Sequence, residues 1–217
     1  MSATEDDPPA PSLLDAPTGA HAPPPAALLV RHAETAWSLA GRHTGRTDVP
    51  LTEAGRQAAR RLAPRLAGTG FGLVLVSPLR RARETCELCG LGADARVEED
   101  LLEWDYGDYE GLTTREIRER RPDWALWRDG CPGGETPDHV GERADRVIAA
   151  LGRAEGPAAV FSHGHMLRVL GARWISLGAG EGGRLALSTG GLCALGHEHG
   201  TPVIARWNDT GSDHGGL

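Results

Sequence analysis

Short apolar runs that stop at polar residues punctuate this chain. Ala26-Ala27-Leu28-Leu29-Val30 ends at Arg31-His32, Leu73-Val74-Leu75-Val76 runs into Ser77-Pro78, and Ala158-Ala159-Val160-Phe161 ends in Ser162-His163-Gly164-His165. Unbroken apolar runs of this length predict strands buried on both faces. Between them the apolar positions move to helical spacing. After Thr52, a candidate N-cap, come Ala58, Ala59, Leu62 and Leu66, with Pro64 expected to kink or shorten the helix. Arg81 to Cys89 reads as a second helix. Thr136-Pro137 opens the clearest amphipathic one, with Val140, Ala144, Val147, Ile148 and Leu151 on one face. Leu167, Val169, Leu170, Trp174 and Ile175 mark another helix. A strand near Ala95 to Val97 and two edge strands, near Leu192 to Leu195 and Val203 to Trp207, complete the pattern. The alternation predicts an α/β fold, a three-layer α/β/α sandwich around a mostly parallel central sheet.

The same reading divides the chain. Residues 1–26 are rich in Pro and Ala and carry Glu5, Asp6, Asp7 and Asp15, as expected of a disordered tail. Residues 27–210 form one domain, and residues 211–217 a flexible C-terminus. About residues 104–135, a polar and aromatic stretch reads as an inserted lid. In it Thr113-Thr114-Arg115-Glu116 is a capping-box sequence opening a short helix that Pro122 ends, and Asp123 is placed to cap another carrying Trp124 and Trp127.

Composition narrows the function classes. The 217 residues are 40% hydrophobic and 24% charged, enough for a core without disulfide or metal staples. A net charge of −7 argues against nucleic-acid or anionic-membrane binding, which need a positive footprint. No run approaches the roughly 20 apolar residues of a membrane span, and the acidic, Pro-rich N-terminus is unlike a signal peptide, so a cytoplasmic location is expected. All 23 basic residues are Arg, so only position can single one out as a ligand. Cys86, Cys89, Cys131 and Cys193 are expected to be reduced thiols, the first two packing inward at helical spacing.

Three apolar strands thus deliver residues of one chemical kind: Arg31-His32, Ser77 leading to Arg81, and Ser162-His163. Ligands of open α/β sheets bind beyond the carboxyl ends of strands, so these groups can converge on one anion. Two His and two Arg at one strand edge make an anion site, and the planar fork of Arg suits that task.

Arg31-His32-Ala33-Glu34-Thr35 resembles the RHGET signature of the histidine phosphatase superfamily, which includes the cofactor-dependent phosphoglycerate mutases. The resemblance continues in family order. It takes in Thr44-Gly45 with Asp48-Val49-Pro50-Leu51-Thr52 and Gly55, Ser77 to Thr85, Glu103 with Tyr106-Gly107 and Glu110-Gly111, and Ser162-His163-Gly164. It implies a phosphoglycerate mutase-like fold, with His32 as nucleophile, Arg31, Arg81 and His163 completing the phosphate pocket, and Glu103 as proton donor. It implies no cofactor and no metal, and it permits a homodimer. Ser38, Thr44, Gly45, Tyr106 and Gly164 are further candidates for substrate contact, and Glu135 for orienting an Arg of the pocket. Two departures stand out: Ala33 replaces the Gly of RHG, and Ser38 stands where many members have Asn. The runs 37–45, 103–111 and 127–131 resemble the sedoheptulose-1,7-bisphosphatase branch, which implies a small phosphorylated sugar as substrate and hydrolysis through a phosphohistidine. The alternatives are a phosphoglycerate-type mutase, a metal-binding protein using His163, His165, His197 and His199 with Cys ligands, and an inactive phospholigand-binding relative.

Overall fold

The computed structural model describes residues 26–211. The expected tail, apart from Ala26, and the expected flexible C-terminus, apart from Gly211, lie outside the described residues. The three unbroken apolar runs form β1 (Ala27–Arg31), β2 (Leu73–Val76) and β4 (Ala158–Ser162), joined by β3 (Ala95–Val97), β5 (Leu192–Glu198) and β6 (Thr201–Asp209). They build one sheet in the order β3-β2-β4-β1-β5-β6. β2 runs parallel to β3 and β4, and β4 to β1, while β5 is antiparallel to both β1 and β6. The expectation of two edge strands near the C-terminus is half corrected. β5 lies inside the sheet, which is why Leu192, Cys193 and Leu195 are buried, and the edges are β3 and β6.

The helices are α1 (Ala36–Leu39), α2 (Glu53–Leu66), α3 (Arg80–Leu88), α4 (Thr114–Arg120), α5 (Leu126–Asp129), α6 (Pro137–Leu151) and α7 (Gly164–Trp174). Side chains alternate across the strands and so supply two cores. Leu28, Val30, Val74, Val76, Ala159 and Phe161 meet Leu62 and Leu66 of α2 and Ala82 and Cys86 of α3. On the other face Leu29, Leu75 and Val160 meet Val140, Ala144 and Val147 of α6 and Met166, Leu167 and Leu170 of α7. This is the three-layer arrangement read from the sequence.

The local signals largely act as expected. Thr52 caps α2 by accepting from Gly55 N, and α2 ends two residues beyond Pro64. Thr113 and Glu116 close the capping box of α4, and Thr136 caps α6 with Pro137 in its first turn. The helix expected after Asp123 is different. It begins at Leu126, leaves Trp124 outside, and is fixed from its far end, where Asp129 Oδ2 accepts from Ala125 N at 2.9 Å. The stretch read as a lid shares the sheet's own core, since Trp104, Tyr106, Ile117, Trp124, Leu126 and Cys131 join the α6–α7 cluster. All four cysteines are free and buried, and burial pushes each thiol up to about 12.

Phe161 is fully buried between the sheet and the α2–α3 layer. Phe161→Ala is expected to cost about 3–5 kcal/mol in urea unfolding; a loss below about 1 kcal/mol is the size of a surface change and would contradict this packing.

Candidate active site

The register of β1 on β4 sets Arg31 opposite Ser162, so the next residue of each strand, His32 and His163, leaves the sheet beside the other. Their ring centroids are 5.3 Å apart. On the other side of β4, Ser77 N donates to Phe161 O at 2.9 Å and carries the end of β2 to the same edge. His32 Nδ1–H donates to Ala33 O at 2.7 Å, which fixes the tautomer and leaves the lone pair on Nε2. Burial, and then the Arg81 and Arg31 charges, hold the His32 imidazolium far below the usual histidine range, so the ring is neutral. Ala33 serves in place of glycine because its backbone is not left-handed. Among the described residues the only non-glycine positions with positive φ are Ser176, His199 and Asn208.

Arg81 is fully buried, yet its partners are neutral. Nε donates to His163 Nδ1 at 3.1 Å, Nη1 to Thr47 O, and Nη2 to Thr44 O and Gly45 O. Because His163 Nδ1 accepts, its proton sits on Nε2, which donates to Ser77 Oγ at 2.7 Å. His163 therefore links Arg81 to the end of β2, and burial with the Arg81 charge keeps it neutral. Arg31 gives one N–H to Leu187 O, while its buried Nε has no partner among the described residues. Gly164 makes room for it, since a Cβ there would lie 3.1 Å from Arg31 Cζ.

Glu103 stands at the N-terminus of α7. Its Oε1 accepts from Trp104 N and Met166 N, each at 2.9 Å, and Oε2 from His165 N at 3.0 Å. A carboxylate is well placed there, where backbone N–H groups lack helical partners. The segment bearing Glu103 is itself clamped by Arg143, which no motif singled out. Arg143 donates to Asp100 O, Leu102 O and Glu103 O, and pairs at 2.8 Å with Glu135, whose Oε2 also accepts from Asp105 N. Glu135 thus orients a structural Arg rather than one of the pocket. The one signal was a guanidinium three residues after Val140 on the apolar stripe of α6.

Other expected ligands are engaged within the protein. Ser38 Oγ closes the α1 capping box, donating to Thr35 O and accepting from Thr35 N, so its only donor is spent on the cap. Gly45 N–H, expected to face phosphate, donates instead to the Glu110 carboxylate, and a Cβ would lie 2.6 Å from Glu110 Oε2. Thr44 Oγ1 donates to Arg42 O. Thr44 and Gly45 serve the site through the carbonyls that hold Arg81. Tyr106 is buried, its hydroxyl 2.6 Å from His165 Nδ1. Both ring nitrogens of His163 and the Nδ1 of His165 are committed to these partners, and His197 and His199 are exposed. Among the described residues no group of three or more His, Cys, Asp or Glu could hold a metal ion.

Two consequences can be measured. Arg143→Ala strands the Glu135 carboxylate and three carbonyls, and is expected to cost about 3–5 kcal/mol in urea unfolding. The buried rings of His32 and His163 and the mostly buried ring of His165 titrate well below their ordinary value, and His43 at about 4. Below the ordinary value of about 6.5 the unfolded chain binds protons that the folded one does not. Stability therefore falls as pH drops through that value, by up to about 1.4 kcal/mol per pH unit per histidine. Unfolding midpoints that stay level between pH 7.5 and 5.5 would contradict neutral, buried imidazoles.

The chain was compared with known proteins. It is 46% identical over 189 residues to an acid phosphatase of Mycobacterium tuberculosis, covering 85% of this chain and 92% of that one. It is 39% identical over 186 residues to the sedoheptulose 1,7-bisphosphatase of Saccharomyces cerevisiae, covering 71% and 69%. The solved structure of an open reading frame product from Mycobacterium tuberculosis matches with a TM-score of 0.79 at 44% identity, covering 84% of this chain and 96% of that one. A family model matches residues 27–210, nearly all of the described fold, and the chain belongs to the histidine phosphatase superfamily, branch 1.

Proposed function

We propose that the chain is a metal-independent phosphomonoesterase that hydrolyses a small sugar phosphate or bisphosphate through a phosphohistidine on His32. The observation that carries this reading is the buried, unpartnered Nε–H of Arg31 beside a neutral imidazole whose free lone pair is on Nε2. A buried donor without a partner calls for an acceptor, and a phosphoryl oxygen supplies one with matching charge. The names of the acid phosphatase and bisphosphatase relatives support the same chemistry.

In the first step His32 Nε2 attacks phosphorus and the P–O bond to the alcohol breaks. Arg31 and Arg81 bind the oxygens on which negative charge stays. A proton held by Glu103 passes to the leaving alkoxide. Oε2, with one backbone donor against two on Oε1, has the capacity to carry that proton. In the second step water attacks phosphorus, Glu103 takes a proton from it, the P–N bond breaks, and inorganic phosphate and neutral His32 are restored. A phosphoryl oxygen entering beside His163 competes with Ser77 Oγ for the Nε2–H. Arg168, stacked over Trp127 at 4.4 Å, is a third guanidinium near Glu103 and Arg31. Its charge favours a second anionic group on the substrate.

The test is phosphate release in the presence of EDTA from sedoheptulose bisphosphate, fructose bisphosphate, sugar monophosphates and phosphoglycerates. Selective release from a sugar phosphate is expected, with His32→Ala reducing it by about a thousandfold or more. Full activity in that variant would sink the nucleophile assignment. An isomerised ester without inorganic phosphate would mark a mutase, and no turnover at all a phospholigand-binding role.

A further inference from the structure

His165 has no part in the steps above, yet it touches both the proton donor and the opening of the site. Its backbone N–H donates to Glu103 Oε2, and its Nδ1 lies 3.8 Å from that same oxygen. Tyr106 Oη is 2.6 Å from Nδ1 on the other side. The ring packs against Trp127, with centroids 5.2 Å apart, and faces His43 at 6.0 Å and the edge of Trp104 at 6.4 Å. About a quarter of the side chain, 23%, remains exposed. Among the described residues Nε2 has no hydrogen-bond partner, and it is not one of their buried unpartnered atoms, so it lies at the exposed edge.

The tautomer follows from the surroundings. Tyr106 is buried and its hydroxyl has His165 Nδ1 as its one hydrogen-bond partner among the described residues, so the phenol, which burial and the nearby Glu103 charge keep protonated, donates to Nδ1. Burial, and then the charges of Arg168 and Arg31, keep His165 neutral. The 3.8 Å approach to Glu103 is therefore no ion pair, and the single ring proton resides on Nε2.

We propose that His165 is a specificity-determining residue: held by Tyr106, it presents its Nε2–H to an oxygen of the alcohol portion of the substrate. This rests on the phosphomonoesterase reading, because Glu103 can protonate only a leaving oxygen close to it, and the carbon skeleton behind that oxygen then passes His165. A neutral N–H donor selects a hydroxyl, carbonyl or ring oxygen. Esters of hydroxylated alcohols gain this bond, and esters of plain aryl alcohols do not. The partly exposed ring of Trp127 gives the same skeleton an apolar wall.

The test compares kcat/KM for fructose 1,6-bisphosphate and glucose 6-phosphate with that for phenyl phosphate. His165→Ala is expected to lower the sugar-to-phenyl ratio about tenfold, chiefly through KM. His165→Gln, whose amide can place an N–H near the position of Nε2, should recover most of the ratio. Tyr106→Phe, which frees the tautomer, should lower it in the same direction by a smaller factor. If His165→Ala is poorly folded by circular dichroism, the Gln and Phe variants decide. An unchanged ratio in variants that still hydrolyse phenyl phosphate overturns the His165 assignment alone. A wild-type protein that releases phosphate from none of the three esters overturns the hydrolase reading and this assignment with it.

Discussion

The in-register parallel pairing of β1 with β4 decides where every charge of the site can be. Arg31 lies opposite Ser162, and both strands release a histidine at the next residue. A slip of one residue would exchange the two faces of β1, turning Leu29 and Val30 to the wrong cores and carrying His32 away from His163. The two hydrophobic clusters on either side of the sheet therefore enforce the chemistry as well as the fold. Phe161, one residue before Ser162, is fixed by the α2–α3 layer, and that anchoring reaches the pocket through a single peptide unit.

Three buried arginines illustrate two ways of keeping a charge in a protein interior. Arg143 is neutralised by the Glu135 carboxylate, and its job is finished once residues 100–105 are in place. Arg31 and Arg81 form no ion pair among the described residues; carbonyl oxygens and a histidine nitrogen accept four hydrogen bonds from Arg81, and a carbonyl oxygen accepts one from Arg31. Dipoles stabilise a buried cation without cancelling its charge, so the field at His32 stays positive. Burial first, and then that field, hold both histidines neutral, and the field leaves the pocket suited to a dianion. Glu103, meanwhile, is held at the start of α7, where the helix's own N–H groups bind it.

The strand ends were legible because each motif joins an unbroken apolar run to polar residues, a pattern with one simple structural solution. The layers were legible for the same reason. What sequence could not give was the direction in which a donor points. Thr44 and Gly45 stand where the motif places them, but whether Gly45 N–H meets phosphate or Glu110 depends on a segment more than sixty residues away. Ser38 reads as a substrate contact, and its engagement as a cap is decided by a backbone N–H three residues earlier. β5 resembled an edge strand because β6, its cover, carries only partly buried side chains. Arg143 looked like one of many arginines in a chain that uses no lysine.

The four thiols lie in both halves of the core: Cys86 and Cys89 under α2 and α3, Cys131 and Cys193 on the α6–α7 side. Shielded and fully protonated at ordinary pH, they are inert toward alkylating reagents while the sandwich is closed. Their labelling rates therefore record how often each layer lifts from the sheet, and mapping which cysteine reacts first distinguishes a local breach on one face from loss of the whole molecule.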